Sequence, residues 1–219
     1  MTDTEIFEPD GRGIPYVDEG NGPAVVLIPD RGLNTSYLGT LAHMLTEADH
    51  RIVRVGTRRA AAASMHDLAQ DVVDLMDHLQ LEHAWIGGHG FGGSVARTVA
   101  LDHTDRVNGV LLLGVEATAD RPRDGDIPDT LRDPDVEPGQ RAAQAATPDA
   151  EWTGLAPLVP VLVIHGTEDS VFPPANGDAL QTAAPDRVSV VPIEGGGHLF
   201  PATHAGPTAW AIEDYLDWD

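Results

Sequence analysis

One segment of the chain has the glycine spacing of a catalytic turn. Residues 88–92 read Gly-His-Gly-Phe-Gly, which is the G-x-S-x-G pattern with Gly90 at its centre. In this pattern a strand turns sharply into a helix, the central side chain projects above the sheet, and the helix N-terminus faces the substrate. Gly88 and Gly92 keep the frame. The segment therefore predicts a nucleophile position that carries no side chain.

The surroundings of this turn agree with a strand-to-helix connection. His83–Gly87 is typical of a short buried strand, and Phe91–His103 is typical of a helix with Val95, Val99 and Ala100 on one face. A phosphate-binding loop is excluded, because such a loop needs a Lys-Ser or Lys-Thr pair after the glycines and the chain contains no lysine.

Two further signals follow the turn in the sequence. Asp169 ends the segment Val163–Asp169, just past an apolar run, and His198 ends the glycine-rich loop Glu194–His198 after the next run. A carboxylate on one imidazole nitrogen fixes the tautomer and leaves the other nitrogen to accept a proton. The residues therefore predict an Asp169–His198 pair beside Gly90. The alternative is structural, with Asp169 capping a helix and His198 satisfying its loop.

The elements that must position these residues are strands that alternate with helices. Eight runs are predicted as strands: Thr4–Phe7, Ile14–Asp18, Ala24–Ile28, Ile52–Val55, His83–Gly87, Val107–Gly114, Val159–His165 and Val188–Ile193. This alternation is typical of an α/β domain with a mainly parallel sheet. The clearest helix is His66–Leu79. Outside its apolar stripe we expect a solvated face formed by Asp67, Asp71, Asp74 and Asp77.

The segment Ala119–Ala156 breaks this pattern. It is rich in Asp, Pro, Arg and Ala, and residues 120–126 are its most polar part. Such a composition buries little of itself, so we expect a mobile excursion over the sheet. With 219 residues, the chain suits a single domain, 1–219, with a full core.

The overall composition limits the partners and the compartment. The 35 acidic and 13 basic residues give a formal charge of −22, so neither nucleic acid nor an anionic membrane is an expected partner. The chain has no cysteine, which excludes disulfides, thiolate catalysis and cysteine-based metal sites. No cofactor and no metal are expected. The absence of a signal pattern and of long apolar runs predicts a cytoplasmic protein. The sequence leaves the oligomeric state open.

With its three motifs in this order, the chain resembles the α/β-hydrolase superfamily over essentially its whole length. The resemblance implies an eight-stranded sheet, Asp169 as the orienting acid and His198 as the general base. It places Gly90 at the position of the family's serine nucleophile. It also implies that Ala119–Ala156 corresponds to the family's cap in a shortened form.

Two departures from the family's pattern concern the chemistry. Gly90 replaces the serine, and Pro29-Asp30 stands where a His-Gly pair normally follows the third strand. The resemblance places the oxyanion-hole donors at the backbone N–H groups of Phe91 and Arg31. Asp30 would set a negative charge beside a developing oxyanion and oppose its stabilisation, unless Arg31 neutralises it. The two departures together argue against a single engineered replacement of a natural serine.

Four other residues offer alternative roles. Ser94, one turn into the helix, is expected to face its neighbours rather than to act as the nucleophile. Glu116, just past Val107–Gly114, could supply acid–base chemistry at the carboxyl edge of the sheet, although a salt bridge at the rim of the site is the simpler expectation. His89, a possible pocket residue, and His165 are expected to pack or to form local hydrogen bonds.

Glycine at the centre of the turn changes the chemistry that the site allows. It removes a backbone strain of about 1–3 kcal/mol and is expected to leave a hole the size of a water molecule beside His198. One hypothesis is a weak or unconventional hydrolase of a small ester- or lactone-like substrate, in which His198 and Asp169 polarise water. A variant uses the same pair as a proton shuttle in a lyase or isomerase. The other hypothesis is an inactive pseudohydrolase that binds a small molecule or a protein partner.

Overall fold

The strands form one eight-stranded sheet. The structure, a computed structural model, describes residues 3–119 and 127–217. The strands are β1 (Glu5–Phe7), β2 (Ile14–Gly20), β3 (Ala24–Ile28), β4 (Arg51–Val55), β5 (Ala84–His89), β6 (Val107–Leu113), β7 (Val161–Gly166) and β8 (Val188–Ile193). Their order across the sheet is β1-β2-β4-β3-β5-β6-β7-β8. The pairs β1–β2 and β2–β4 are antiparallel, and the other pairs are parallel. The predicted α/β fold with a mainly parallel sheet is confirmed.

Helices cover both faces of this sheet. They are α1 (Gly39–Glu47), α2 (Met65–His78), α3 (Phe91–Asp102), α4 (Glu137–Ala146), α5 (Asp149–Thr153), α6 (Pro174–Ala183), α7 (Phe200–Thr203) and α8 (Ala205–Leu216). The clearest predicted helix, α2, begins where Ser64 and Asp67 form a reciprocal capping box, which satisfies backbone donors at the helix start. Among the described residues, no helix has the length and apolar character needed to span a bilayer.

The central strands are buried on both faces. In β3, Val26 and Ile28 pack with side chains of α2 and α3, whereas Val25 and Leu27 pack with side chains of α1 and α8. This alternation follows from the two-residue period of a strand, and a strand covered on both sides is a continuous apolar run. In register, Ile28 at the end of β3 pairs with Gly88 of β5. The carboxyl ends of the parallel strands therefore lie together at one edge of the sheet.

The solvated face predicted for α2 is wrong at one position. Asp71 is buried. Its carboxylate accepts hydrogen bonds from Arg12 at 2.8 Å and from Arg58 at 2.5 and 2.7 Å. Helical periodicity could not predict this, because both arginines come from segments before the helix and cover its outer face.

The expectation that residues 119–156 bury little of themselves is also wrong for the part that the structure describes. This part contains α4 and α5, and Ala143 and Trp152 are fully buried. Trp152 joins the core formed with α2 and α3. The polar segment 120–126 lies outside the described residues. That residues 119–156 correspond to the family's cap stays a prediction.

Candidate active site

Gly90 forms the turn between β5 and α3. Its φ of +50° and ψ of −108° lie in a region that side-chain-bearing residues rarely adopt. The two neighbouring positions have no room for a side chain. A Cβ at Gly92 would lie 2.1 Å from the Ile28 carbonyl oxygen, and a Cβ at Gly88 would lie 2.4 Å from the backbone of Gly92. Strand and helix thus approach as closely as the G-x-S-x-G pattern demands.

Asp169 and His198 form the predicted pair. His198 Nδ1 lies 3.4 Å from Asp169 Oδ2, and both side chains are almost completely buried. Asp169 Oδ1 accepts hydrogen bonds from the backbone N–H groups of Val171 and Phe172 at 2.8 and 2.9 Å. Burial alone would raise the pKa of Asp169, but the hydrogen bonds from His198 and from the two N–H groups lower it below its ordinary value. Asp169 is therefore held as a carboxylate that orients the His198 ring.

The carboxylate of Asp30 bridges the base and the predicted oxyanion donor. Its Oδ1 accepts a hydrogen bond from the Phe91 N–H at 2.8 Å, and its Oδ2 lies 3.3 Å from His198 Nε2. Asp30 is fully buried. The Phe91 N–H, which the sequence predicts as an oxyanion donor, is thus bonded to Asp30 in this structure.

The hole expected beside His198 is filled. A Cβ built at Gly90 would lie 2.4 Å from Phe172 Cε2 and 2.5 Å from Asp30 Oδ1. The Phe172 ring also packs edge-on against His198, with 4.9 Å between ring centroids. The predicted hole is therefore wrong, because the motif does not determine the side-chain directions of Asp30 and Phe172.

Arg31 and Glu116 form a buried ion pair behind the turn. Arg31 Nη2 donates to Glu116 Oε1 at 2.7 Å and also to the Gln144 side chain. Glu116 Oε2 accepts from Ser94 Oγ at 3.1 Å and from Gln144 Nε2 at 2.9 Å. Ser94 therefore faces its neighbours as expected, and the salt bridge expected for Glu116 is buried rather than at the rim. Gln144, on α4, is a site neighbour that sequence reasoning missed.

Comparisons with known proteins agree with the fold. A family model described as the alpha/beta hydrolase fold matches residues 48–156. An esterase from Thermogutta terrifontis has a TM-score of 0.76 and 20% identity, over 98% of this chain and 98% of its own. An epoxide hydrolase from Vigna radiata has a TM-score of 0.78 and 17% identity, over 100% of this chain and 98% of its own. The whole chain therefore has the α/β-hydrolase fold, and its residues 48–156 match the family model.

Two curated relatives match this chain over part of their length. A protein of Variovorax paradoxus, named as a proposed carbamate hydrolase, is 32% identical over 101 residues, which are 42% of this chain and 38% of that protein. The zearalenone hydrolase of Bionectria ochroleuca is 26% identical over 121 residues, which are 50% of this chain and 46% of that protein. The chain therefore spans less than half the length of the curated relatives it matches.

His89 brings a second imidazole to the site. Its Nδ1 lies 3.1 Å from the Tyr37 hydroxyl, so the expected local hydrogen bond is present. Its ring centroid is 4.6 Å from that of His198. One potential ligand atom from each of Asp30, His89 and His198 lies within 4.8 Å of the others. The sequence analysis expects no metal and does not predict this grouping, because the three residues come from three separated segments.

His165 lies apart from these contacts, at the end of β7. Burial lowers its pKa below the ordinary histidine value, although the charges of Asp178 and Asp169 oppose this shift. Its ring therefore favours the neutral form. We assign it no part in the chemistry, because none of the hydrogen bonds given above for Asp30, Asp169 and His198 involves it.

Proposed function

We propose that this protein hydrolyses a small ester- or lactone-like substrate by direct attack of water, without an acyl-enzyme intermediate. The observation that carries the proposal is the pair of contacts of His198, with Nδ1 3.4 Å from Asp169 Oδ2 and Nε2 3.3 Å from Asp30 Oδ2. The other oxygen of Asp30 accepts a hydrogen bond from the Phe91 N–H, which connects His198 to the turn. Gly90 offers no hydroxyl or thiol, so no acyl group can form on the turn. The oxygen atom that cleaves the substrate must then come from water.

The proposed reaction needs one base and one hydrogen-bond donor. The water oxygen adds to the carbonyl carbon while a water proton passes to His198 Nε2. The tetrahedral adduct then expels the alcohol, which takes that proton, and the acid product remains. Phe91 N–H is the donor available to the oxyanion. Removal of triad residues elsewhere leaves about 10³- to 10⁴-fold acceleration over water, so we expect a slow enzyme.

Asp30 competes with the substrate in this scheme. It occupies the Phe91 N–H at 2.8 Å, and a substrate carbonyl oxygen must take its place. Hydrogen bonds to charged groups contribute about 1.5–3 kcal/mol. Removal of the carboxylate by Asp30→Gly is therefore expected to raise kcat/KM by about 10-fold or more.

A second candidate is a binding protein without turnover. This function is favoured because Asp30 and Phe172 fill the space above Gly90 where a substrate would react. The names of the curated relatives and of the esterase and epoxide hydrolase with the same fold favour hydrolysis instead. A Glu116-based chemistry is disfavoured, because Glu116 is engaged by Arg31, Ser94 and Gln144.

The test is turnover of a short-chain activated ester by the unaltered protein and three variants. We expect measurable turnover that falls to background in His198→Ala, rises in Asp30→Gly and is unchanged in His165→Gln, which alters a buried histidine outside the site. A fluorophosphonate probe is expected not to label the unaltered protein. Activity that survives in His198→Ala would refute the proposal, and an inert protein that still binds a small ester would support the binding function.

A further inference from the structure

We infer that Asp30, His89 and His198 form a binding site for a divalent transition-metal ion of the Zn²⁺ type. One potential ligand atom from each residue lies within 4.8 Å of the other two. Two imidazole nitrogens and one carboxylate oxygen form a ligand set that holds four-coordinate zinc and leaves one position open. This inference goes beyond the proposed function, in which His198 acts as a base rather than as a ligand.

One pair of potential ligands has the spacing that a single ion requires. His198 Nε2 lies 3.3 Å from Asp30 Oδ2. Two atoms that each lie about 2.0–2.1 Å from a tetrahedral ion are about 3.4 Å apart. Because all three atoms lie within 4.8 Å, closure around the ion requires a displacement of at most about 1.4 Å.

The charges at His198 also favour a cation. Its two ring nitrogens face two different carboxylates, with Nδ1 at 3.4 Å from Asp169 and Nε2 at 3.3 Å from Asp30. A neutral imidazole carries one ring proton. When that proton lies on Nδ1 and is donated to Asp169, the lone pair of Nε2 faces an oxygen lone pair of Asp30. A metal ion or a second ring proton between Nε2 and Oδ2 turns this repulsion into attraction, and the experiment below distinguishes the two.

The three residues already have the outer contacts that orient metal ligands. Asp169 lies at Nδ1 of His198, and the Tyr37 hydroxyl lies at Nδ1 of His89. The Phe91 N–H holds Oδ1 of Asp30 and leaves Oδ2 directed at His198. Such partners fix the ring orientation and the tautomer of metal-bound histidines. The His198 side chain is 8% exposed, which leaves an entry path from solvent.

The test is metal binding by the chelator-treated full chain, measured without any substrate. Zn²⁺ is titrated in competition with a chromophoric chelator, and Co²⁺ is followed by its visible absorption, which reports four-coordination. We expect one equivalent to bind. Asp30→Asn keeps an acceptor for Phe91 N–H, so it should fold, and we expect at least 10- to 100-fold weaker binding in this variant. His198→Ala should lose binding to a similar extent. His165→Gln is the control and should bind as the unaltered protein does.

Two results would overturn the site. If the unaltered protein binds no tighter than Asp30→Asn and His198→Ala, a proton rather than a metal ion lies between the two side chains. If all four proteins bind one equivalent equally, the ion lies elsewhere on this acidic chain. Circular dichroism of each variant verifies that it is folded. Since no turnover is measured, the outcome for the metal site is independent of the outcome for the proposed hydrolysis.

Discussion

Replacement of Gly90 is expected to destabilise the protein strongly, even by alanine. The backbone at this turn has a φ of +50°, which costs a side-chain-bearing residue about 1–3 kcal/mol. The added Cβ would also lie 2.4 Å from the Phe172 ring. Phe172 is itself buried, so its ring has little room to move, and such overpacking costs about 1–3 kcal/mol. Together we expect Gly90→Ala to lower the free energy of unfolding by about 2–6 kcal/mol.

The assay is urea unfolding followed by circular dichroism, with linear extrapolation to water. Gly139→Ala is the matched control, because Gly139 lies in the first turn of α4, has no positive φ and has no atom within 4 Å of its added Cβ. This control is expected to raise stability by about 0.4–1 kcal/mol. If the free energy of unfolding of Gly90→Ala lies within about 0.5 kcal/mol of that of the unaltered protein, neither the backbone strain nor the contact with Phe172 is present, because ordinary surface substitutions fall in that range.

The same contact determines the outcome of restoring a serine. Gly90→Ser alone is expected to be unstable and unreactive toward fluorophosphonates, because Asp30 Oδ1 would lie 2.5 Å from the new Cβ. In the Asp30→Gly background part of the destabilisation should be recovered, with a coupling energy of about 0.5–3 kcal/mol for groups in contact. If the effects of Gly90→Ser and Asp30→Gly on the free energy of unfolding are strictly additive, the contact between Asp30 and the new side chain is absent.

Two further predictions concern ionic contacts at the surface and on α2. Hydrogen bonds to Asp102 and Glu151 raise the pKa of His66, so its stabilisation is complete below the ordinary histidine pKa and is lost as pH rises through the raised value. The urea midpoint of His66→Gln should therefore fall below that of the unaltered protein in acid and meet it in base, and a pH-independent difference would contradict this. Asp71→Ala leaves two arginines without their buried carboxylate, so we expect it to lower the free energy of unfolding by about 3 kcal/mol. Asp77 is exposed, and Asp77→Ala should lower the same free energy by about 1 kcal/mol or less. If the two variants lower the free energy of unfolding equally, the burial of Asp71 does not strengthen its ion pairs.

The fold could be predicted from the sequence because its signals are local. Ala24–Ile28 and Val188–Ile193 have the predicted bounds, since each is an apolar, β-branched run between turn residues. The strand before Gly90 is longer than predicted and ends at His89. Glycine and histidine are poor indicators of a strand, yet Gly88 and His89 pair with Leu112 and Leu113 of β6.

The contacts that define the site were predictable only in part. Asp169 and His198 each follow a strand of the same sheet, so their approach follows from topology. The Asp30–Phe91 hydrogen bond joins residues 61 positions apart, and the Arg31–Gln144 contact joins residues 113 positions apart. Periodicity gives the face on which a residue lies and says nothing of a side chain that bends back over a turn. The filled space above Gly90 therefore emerged only from the structure.

The pairing of Ile28 with Gly88 bears on which step of the proposed reaction limits its rate. Asp30 and Gly90 each follow their member of this pair by two residues, so the carboxylate and the Phe91 N–H are positioned by the same rigid pair of central strands. A register slip would move them apart in steps of about 3.3 Å per residue. In the proposed reaction, exchange of Asp30 for a substrate carbonyl is then a side-chain rotation on a fixed backbone, rather than a loop opening that takes microseconds to milliseconds. We therefore expect the chemical step, and not the release of Asp30, to set the rate.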